Sequence, residues 1–287
     1  VRNAAVAPPP KPPPSRARRA TVVLSGSTAL VTGAGSGIGR ATALALAAKG
    51  AKVVALDIDA ETAAKTAADT GGHSYQVDVA DRVAVVEIAA AVTAAHGTPD
   101  VVVNNAGVGM TGRFLDMDAD DWDWIVGINL LGAVNVTKAF GPAMVERGSG
   151  QVVNVASGLA YTPRATEPGY VTTKAALLAL SQCLRADWHD AGVGVSVVCP
   201  GVINTNIVRS NTRYRGSRDG GQARARAEQV FAKGHRPELV ADAIISAVER
   251  NRSVVPVGFE SRLGWWLRGV LPQAATDRAA RMSLGGL

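Results

Sequence analysis

Tyr170 and Lys174 stand four residues apart in "GYVTTKAAL" (Gly169–Leu177), a run that reads as helix. Positions i and i+4 share one helix face, so the lysine ammonium can lie beneath the phenol. The chemistry open to such a pair is proton transfer. Free tyrosine, with a pKa near ~10, is a poor base at neutral pH, and a nearby positive charge favours its phenolate. A tyrosine on a helix also serves as a plain packing residue, so the surroundings must decide. Ser157 lies 13 residues before Tyr170, at the end of an apolar run.

A second constellation lies near the start of the regular part of the chain. "LVTGAGSGIGRATALALAAKG" follows one strand-like run and opens a helix. Counting from Gly33, the third glycine of a G-x-G-x-x-G pattern would be Ile38, and from Gly35 it would be Arg40. The loop reads instead as T-G-x-x-x-G-x-G, with Gly33, Gly37 and Gly39. Glycines permit a tight turn and let the backbone approach a pyrophosphate, while the free N–H groups of the helix start, at Ser36, Gly37 and Ile38, attract its charge. Asp57 closes the next strand, 24 residues after Gly33, where a carboxylate can accept from ribose hydroxyls and repel a 2′-phosphate. Asp59 suits the cap of the following helix better. No Arg or Lys immediately follows Asp57, and Ser36 rather than a basic residue precedes Gly37, so NAD is expected rather than NADP. Asp78, with Val79 at the end of the third strand, could bond an adenine amino group or cap a helix.

These residues need a scaffold. "TALVT" (28–32), "AKVVALD" (51–57), "HSYQVD" (73–78), "DVVVNN" (100–105), "QVVNVAS" (151–157), "VGVSVVCP" (193–200) and "SVVPVG" (253–258) are short apolar or β-branched runs. Alanine- and leucine-rich helical stretches separate them. Near-continuous apolar strands are buried on both faces, which predicts a doubly wound α/β fold: one Rossmann-like seven-stranded parallel sheet, helices on both faces, in a single domain. Ligands are then expected at the carboxyl ends of the strands. The expected boundaries are a tail at 1–27, a catalytic domain at 28–260 with a lid at 204–236, and a C-terminal extension at 261–287.

Taken together, the chain resembles the short-chain dehydrogenase/reductase family over roughly residues 28–258. The resemblance rests on the glycine loop, "NNAG" (104–107), "NL" with Asn129, Ser157, Y-x-x-x-K at 170–174 and "PGVINT" (200–205), in family order and spacing. It implies hydride transfer between a nicotinamide cofactor and an alcohol or carbonyl. Tyr170 would be the acid/base, and Lys174 its charged partner and the holder of the nicotinamide ribose. Ser157 would orient the substrate oxygen, and Asn129 would anchor a water relay from Lys174. Asn105, Ala106 and Gly107 would lie beside the cofactor, or tie the central strands together. Pro200 and Gly201 would turn the chain, the Val202–Ile203 backbone would meet the nicotinamide amide, and Thr205 would bond the amide or pyrophosphate. No metal site is expected. The resemblance also implies a homodimer or homotetramer, through helices at about 119–146 and 169–190.

Composition narrows the alternatives. The net charge of +6 suggests nucleic acid until it is located. Arg2, Lys11, Arg16, Arg18 and Arg19 lie in the first 27 residues, and the remainder carries only about +1, so no nucleic-acid partner is expected. "APPPKPPPSRARRA" reads as a solvated tail or linker. With Cys183 and Cys199 both in apolar surroundings, a reducing, cytoplasmic setting with two core thiols is expected. No uninterrupted apolar run reaches the ~18 residues of a bilayer span. Arginines at 209, 213, 215, 218, 224 and 226 make the lid either a solvated face or a site for an anionic acyl thioester. "SRLGWWLRGVLPQ" could rest on a membrane interface as a peripheral contact, cover an apolar pocket, or pack on another subunit, and it points to a lipophilic substrate. This tail and the linker-like start also resemble bacterial dehydrogenase domains fused behind an α/β-hydrolase domain, although no G-x-S-x-G elbow is present. The reading that results is an NAD-dependent secondary alcohol dehydrogenase or ketone reductase. An NADPH-dependent 3-oxoacyl thioester reductase and a non-catalytic nucleotide-binding scaffold are the alternatives.

Overall fold

The computed structural model describes residues 21–216 and 220–281. The proline-rich stretch up to residue 20, Arg218 and residues 282–287 lie outside the described residues. Each of the seven expected runs is a strand of one parallel sheet: β1 (Thr28–Thr32), β2 (Lys52–Asp57), β3 (His73–Gln76), β4 (Val101–Asn104), β6 (Gly150–Val155), β7 (Val193–Pro200) and β9 (Val254–Val257). Two short strands, β5 (Gly109–Thr111) and β8 (Thr212–Tyr214), pair apart from it. The main sheet runs β3-β2-β1-β4-β6-β7-β9. Strand order therefore reverses between β1 and β4, and the two loops leaving their carboxyl ends flank one crevice.

Side-chain alternation along the strands builds two cores. Ala29, Val31, Val53, Ala55, Val101 and Val103 point to one face, against α1 (Gly37–Ala48) and α9 (Pro237–Glu249). Leu30, Val54, Leu56 and Val102 point to the other, against α3 (Arg82–His96) and α5 (Gly132–Arg147). Each fully buried side chain of this size contributes roughly 1.5–3 kcal/mol, and both faces are needed to flatten the sheet between two helical layers. α2 (Ala60–Thr70) starts at Asp59, whose carboxylate accepts from Glu61 and Thr62 N–H, as its sequence position predicts. Below the crevice, Asn104 donates to Asn154 at 2.8 Å, and Asn154 to Ser181 at 2.8 Å. This buried chain ties β4 and β6 to α6 (Pro168–Asp187).

Two expectations are corrected. α4 (Ala119–Val126), a π-helical turn at Gly127–Leu131 and α5 form one 29-residue helix that is long and apolar enough for a bilayer span. Apolar runs missed it because polar residues interrupt the run without breaking the helix, and its buried face includes Ile125, Val136, Phe140 and Met144 packed in the protein. Cys183 is exposed while Cys199 is buried. The inward face of α6 carries Thr173, Lys174, Leu177, Leu178 and Ser181, and position 183 falls on the opposite side.

The expected lid at 204–236 carries regular elements of its own, α7 (Ile207–Ser210), β8 and α8 (Gly220–Ala232). Arg213 and Arg215 are part of a solvent-facing surface, with side chains 36% and 40% exposed, but both are also tied to one buried acid. Arg215 donates to both oxygens of Asp121, at 2.7 and 2.8 Å, and Arg213 donates to Oδ1 at 3.1 Å. The Asp121 side chain is fully buried, and the Arg215 hydrogen bond, with help from Arg213, holds its carboxyl at about 2. Arg213 also stacks over Trp124, 4.0 Å from the ring centre. The segment after β7 is thus latched to α4. The remaining helices, α10 (Phe259–Leu267) and α11 (Gln273–Arg281), follow β9.

Candidate active site

α6 begins with Pro168, which favours a first helical turn. Tyr170 and Lys174 then share its inner face. The Lys174 ammonium is almost fully buried, 5.7 Å from the Tyr170 ring centre, and donates to the Val155 carbonyl of β6 at 3.1 Å. Ser157 follows β6 and caps a 3-10 turn at Gly158–Ala160 by accepting from Leu159 N–H. Its hydroxyl lies close enough to the Tyr170 phenol to favour the phenolate. Burial pushes Tyr170 up to about 12, the Ser157 hydroxyl opposes this, and the charges of Glu167 and Cys199 add to it. Burial lowers Lys174 to about 8. In the protein by itself, desolvation therefore outweighs the neighbouring ammonium, and Tyr170 rests as a neutral phenol.

Asn129 does not line the crevice. It sits in the π-helical turn, where its amide donates to Val108 C=O at 3.0 Å and to Thr173 Oγ1 at 3.3 Å, and accepts from Val108 N–H at 2.8 Å. Both amide hydrogens are committed to holding the loop after β4 against α6. Any part in a proton relay would fall to its backbone, which the π turn displaces from regular helix bonding.

A cleft of about 750 Å³ with a mixed polar and apolar lining runs over the carboxyl ends of β1, β2 and β4. Gly33, Ser36, Gly37, Ile38, Asp57, Asp78, Val79, Asn105, Ala106, Gly107, Lys174, Ile203 and Thr205 line it, together with Ser157, Tyr170, Pro200 and Gly201. Gly39 does not line the cleft. An added Cβ there would lie 2.0 Å from the Gly33 carbonyl oxygen and 2.5 Å from Asn105 Nδ2, so this glycine lets α1 close onto the loop. Gly37 takes a positive φ of 52° at the helix start, and Ser36 makes no side-chain cap, which leaves the N–H end of α1 open to an anion. Asn105 donates to Thr32 C=O at 2.9 Å, so it joins β4 to β1 while its residue also borders the cleft.

Asp57 is held in place by backbone N–H groups: Gly35 donates to Oδ2 at 2.8 Å and Asp59 to Oδ1 at 3.1 Å. Gly35 thus orients the carboxylate, a role its position in the loop did not reveal. Asp78 accepts from Ala80 N–H, and Asp81, not Asp78, caps α3. Val202 departs from expectation. Its N–H donates to Glu260 Oε1 at 2.7 Å, its carbonyl accepts from His235 N–H, and it faces the neighbouring cavity. Of the Val202–Ile203 pair, only Ile203 borders the cleft. Glu260 sits 58 residues further on, so no local pattern announced the contact.

That neighbouring cavity, about 550 Å³, is walled mainly by apolar groups, among them Met110, Leu159, Val208, Phe231, Leu267 and Leu271. Ser157, Tyr170, Pro200 and Gly201 line both spaces, so the two hydroxyls stand where they meet. The C-terminal segment closes one side. Arg268 stacks on Trp265 at 3.4 Å, Trp265 packs edge-on to Tyr161, and the Tyr161 hydroxyl donates to Ser261 C=O at 2.9 Å. Trp266 remains 65% exposed.

A doubly wound sheet with a phosphate-type loop at its switch point, and a Ser–Tyr–Lys cluster beside it, defines a dinucleotide-binding α/β protein. The comparisons are more particular. The short chain dehydrogenase family profile matches residues 27–215, and the chain belongs to the short-chain dehydrogenase/reductase family. It is 46% identical over 259 residues to the probable oxidoreductase EphD of Mycobacterium tuberculosis, covering 87% of this chain and 44% of that protein. The chain thus spans less than half the length of that relative. D-threitol dehydrogenase of Mycolicibacterium smegmatis is 39% identical over 189 residues, 64% of this chain and 73% of that protein. A short-chain dehydrogenase/reductase from Burkholderia phymatum, solved in complex with NAD, superposes with a TM-score of 0.80 at 26% identity, covering 93% of this chain and 99% of that one.

The buried lysine carries a prediction. Lys174→Met should leave the protein folded and at least as heat-stable as the parent at neutral pH, because it removes a charge from an apolar setting. Lys174 is lowered from 10.5 to about 8 in the fold. Between those values the unfolded chain binds the extra proton, so parent stability rises with pH and the variant's advantage shrinks across that window. Thermal melts from neutral to alkaline pH check this, and an advantage that grew with pH would contradict it.

Proposed function

We propose that the chain is an oxidoreductase that moves a hydride between NAD(H) and a lipophilic secondary alcohol or ketone. The observation that carries this reading is the shared wall: the cofactor-sized cleft and the apolar cavity meet along a border that includes the Ser157 and Tyr170 hydroxyls and the Pro200–Gly201 turn, with Ile207, Thr212 and Phe231 on the same border. The cleft suits a dinucleotide, since its glycine loop leaves an uncapped helix start beside an oriented carboxylate. Bound there, the nicotinamide supplies the acceptor or donor of the hydride. Ser157 orients the substrate oxygen, and Tyr170 Oη gives it a proton in reduction and takes one in oxidation. Its resting neutral state readies it as the acid. Lys174 keeps a positive charge behind the phenol when it must lose its proton. Asn129 keeps α6 in register with the loop after β4. Arg213 and Arg215 are engaged by Asp121, which weakens the alternative of an anionic acyl thioester.

An NADH-oxidation screen over lipophilic ketones, with NADPH in parallel, tests the proposal. NADH should be preferred by about 10-fold or more, and Asp57→Ala should reduce that preference by a similar factor. A parent protein that favours NADPH would refute the assignment of Asp57. Assembly as a homodimer or homotetramer through the outer faces of α5 and α6 is part of the same proposal, and sedimentation of the full chain measures it.

A further inference from the structure

Two acids line the apolar cavity. Glu260 is engaged, accepting from Val202 N–H and pairing with His235 at 3.3 Å. Glu167 is not. It directly precedes α6, three residues before Tyr170, yet makes no side-chain cap to that helix. Its Oε2 is shut off from solvent and has no hydrogen-bond partner among the described residues. Burial raises its pKa, with the charge of Arg164 acting the other way. Glutamate is a poor choice for a helix cap, where Ser, Thr, Asp or Asn do better. Packing gives no reason for it either, because an unpartnered carboxyl beside Leu159 and Tyr214 is costly.

A buried polar group without a partner is resolved when something else supplies one. The wall of the cavity limits what that can be. A cation would meet Arg164 and Arg268, which also line it, and an anion would meet the acid itself. An uncharged hydroxyl fits, since it can donate to the carboxylate and, when the carboxyl is protonated, also accept from it. We propose that Glu167 is a substrate-specificity residue that binds a second, uncharged oxygen of the substrate, a hydroxyl remote from the reacting carbon. The preferred substrates are then lipophilic ketones or alcohols bearing a further hydroxyl. This rests on the reading that the apolar cavity takes the reacting substrate.

The test is calorimetric titration of the full chain with NAD present, using linear methyl ketones of about six to twelve carbons, a range the cavity can hold, each with and without a terminal hydroxyl. The carbonyl has no hydride donor when the nucleotide is oxidised, and NADH absorbance followed in parallel shows whether the terminal hydroxyl is itself oxidised, so binding is read apart from turnover. At the best chain length the hydroxylated ketone should bind about tenfold more tightly than its parent ketone. Glu167→Leu should erase that difference by weakening only the hydroxylated ligand, and Glu167→Gln, which keeps a donor and an acceptor, should retain most of it. The proposal fails if no hydroxylated ketone outbinds its parent ketone, or if Glu167→Leu weakens both equally. Should the Leu variant not fold, the unmodified series and the Gln variant still decide. Ketone reduction with NADH or NADPH is measured separately. Its absence would sink the oxidoreductase reading while leaving the calorimetric comparison to judge Glu167.

Discussion

Tyr170→Phe should lower turnover at least ~100-fold while nucleotide affinity stays within about threefold of the parent. The change removes one oxygen and keeps the ring, so the packing of α6 against β6 is preserved. What is lost is the hydroxyl that stands between the cleft and the cavity. Ser157 remains but cannot replace it, because its oxygen is already engaged by Leu159 N–H and an aliphatic hydroxyl is a far weaker acid than a phenol. Single-turnover measurements of NADH consumption with a reactive ketone, beside fluorescence titration of NADH, separate the two effects. Equal turnover in parent and variant would remove Tyr170 from the mechanism, and the scaffold alternative would then gain ground. A loss seen only in nucleotide affinity would make the phenol a binding group instead.

Gly39→Ala should abolish tight nucleotide binding, weakening it about 30-fold or more, and destabilise the fold by about 1–3 kcal/mol. The added carbon would sit 2.0 Å from the Gly33 carbonyl oxygen, a backbone atom that no rotamer change can move aside. The start of α1 must then tilt off the loop, taking with it the open N–H groups and the Asn105 contact. Gly127→Ala is the matched control, since the nearest atom to its added carbon is Ala80 Cβ at 3.9 Å. Titration with NADH and a thermal melt on both variants check the contrast. Similar affinities in the two would show that the close approach of α1 to the loop does not shape the cleft.

Much of the scaffold was legible because its causes are local. The alternation of Ala29, Leu30 and Val31 commits β1 to burial on both faces whatever lies beyond it. The glycine loop is readable for the same reason: Gly33, Gly37 and Gly39 act within one turn of chain. Asp59 as a cap, and Tyr170 above Lys174, follow from helix spacing alone. The failures lie where a partner is distant. β8 is strand because β5, about a hundred residues earlier, offers it an edge. The engagement of Arg213 and Arg215 was not legible because their acid, Asp121, stands 92 and 94 residues away. Cys183 was misplaced by one face of a helix whose neighbours are not adjacent in sequence.

By itself, then, the amino-acid sequence determined the layers, the direction of the strands, the phosphate-type loop and the pairing of a tyrosine with a lysine. These follow from backbone propensity and short-range periodicity, which any local stretch carries. Only the tertiary structure decided what those groups experience. Burial raises the Tyr170 pKa against the pull expected from Lys174, Glu260 takes the Val202 N–H, and Glu167 Oε2 is left without a hydrogen-bond partner among the described residues. Desolvation and hydrogen-bond supply depend on everything that closes around a group, and that is assembled from segments far apart in the chain.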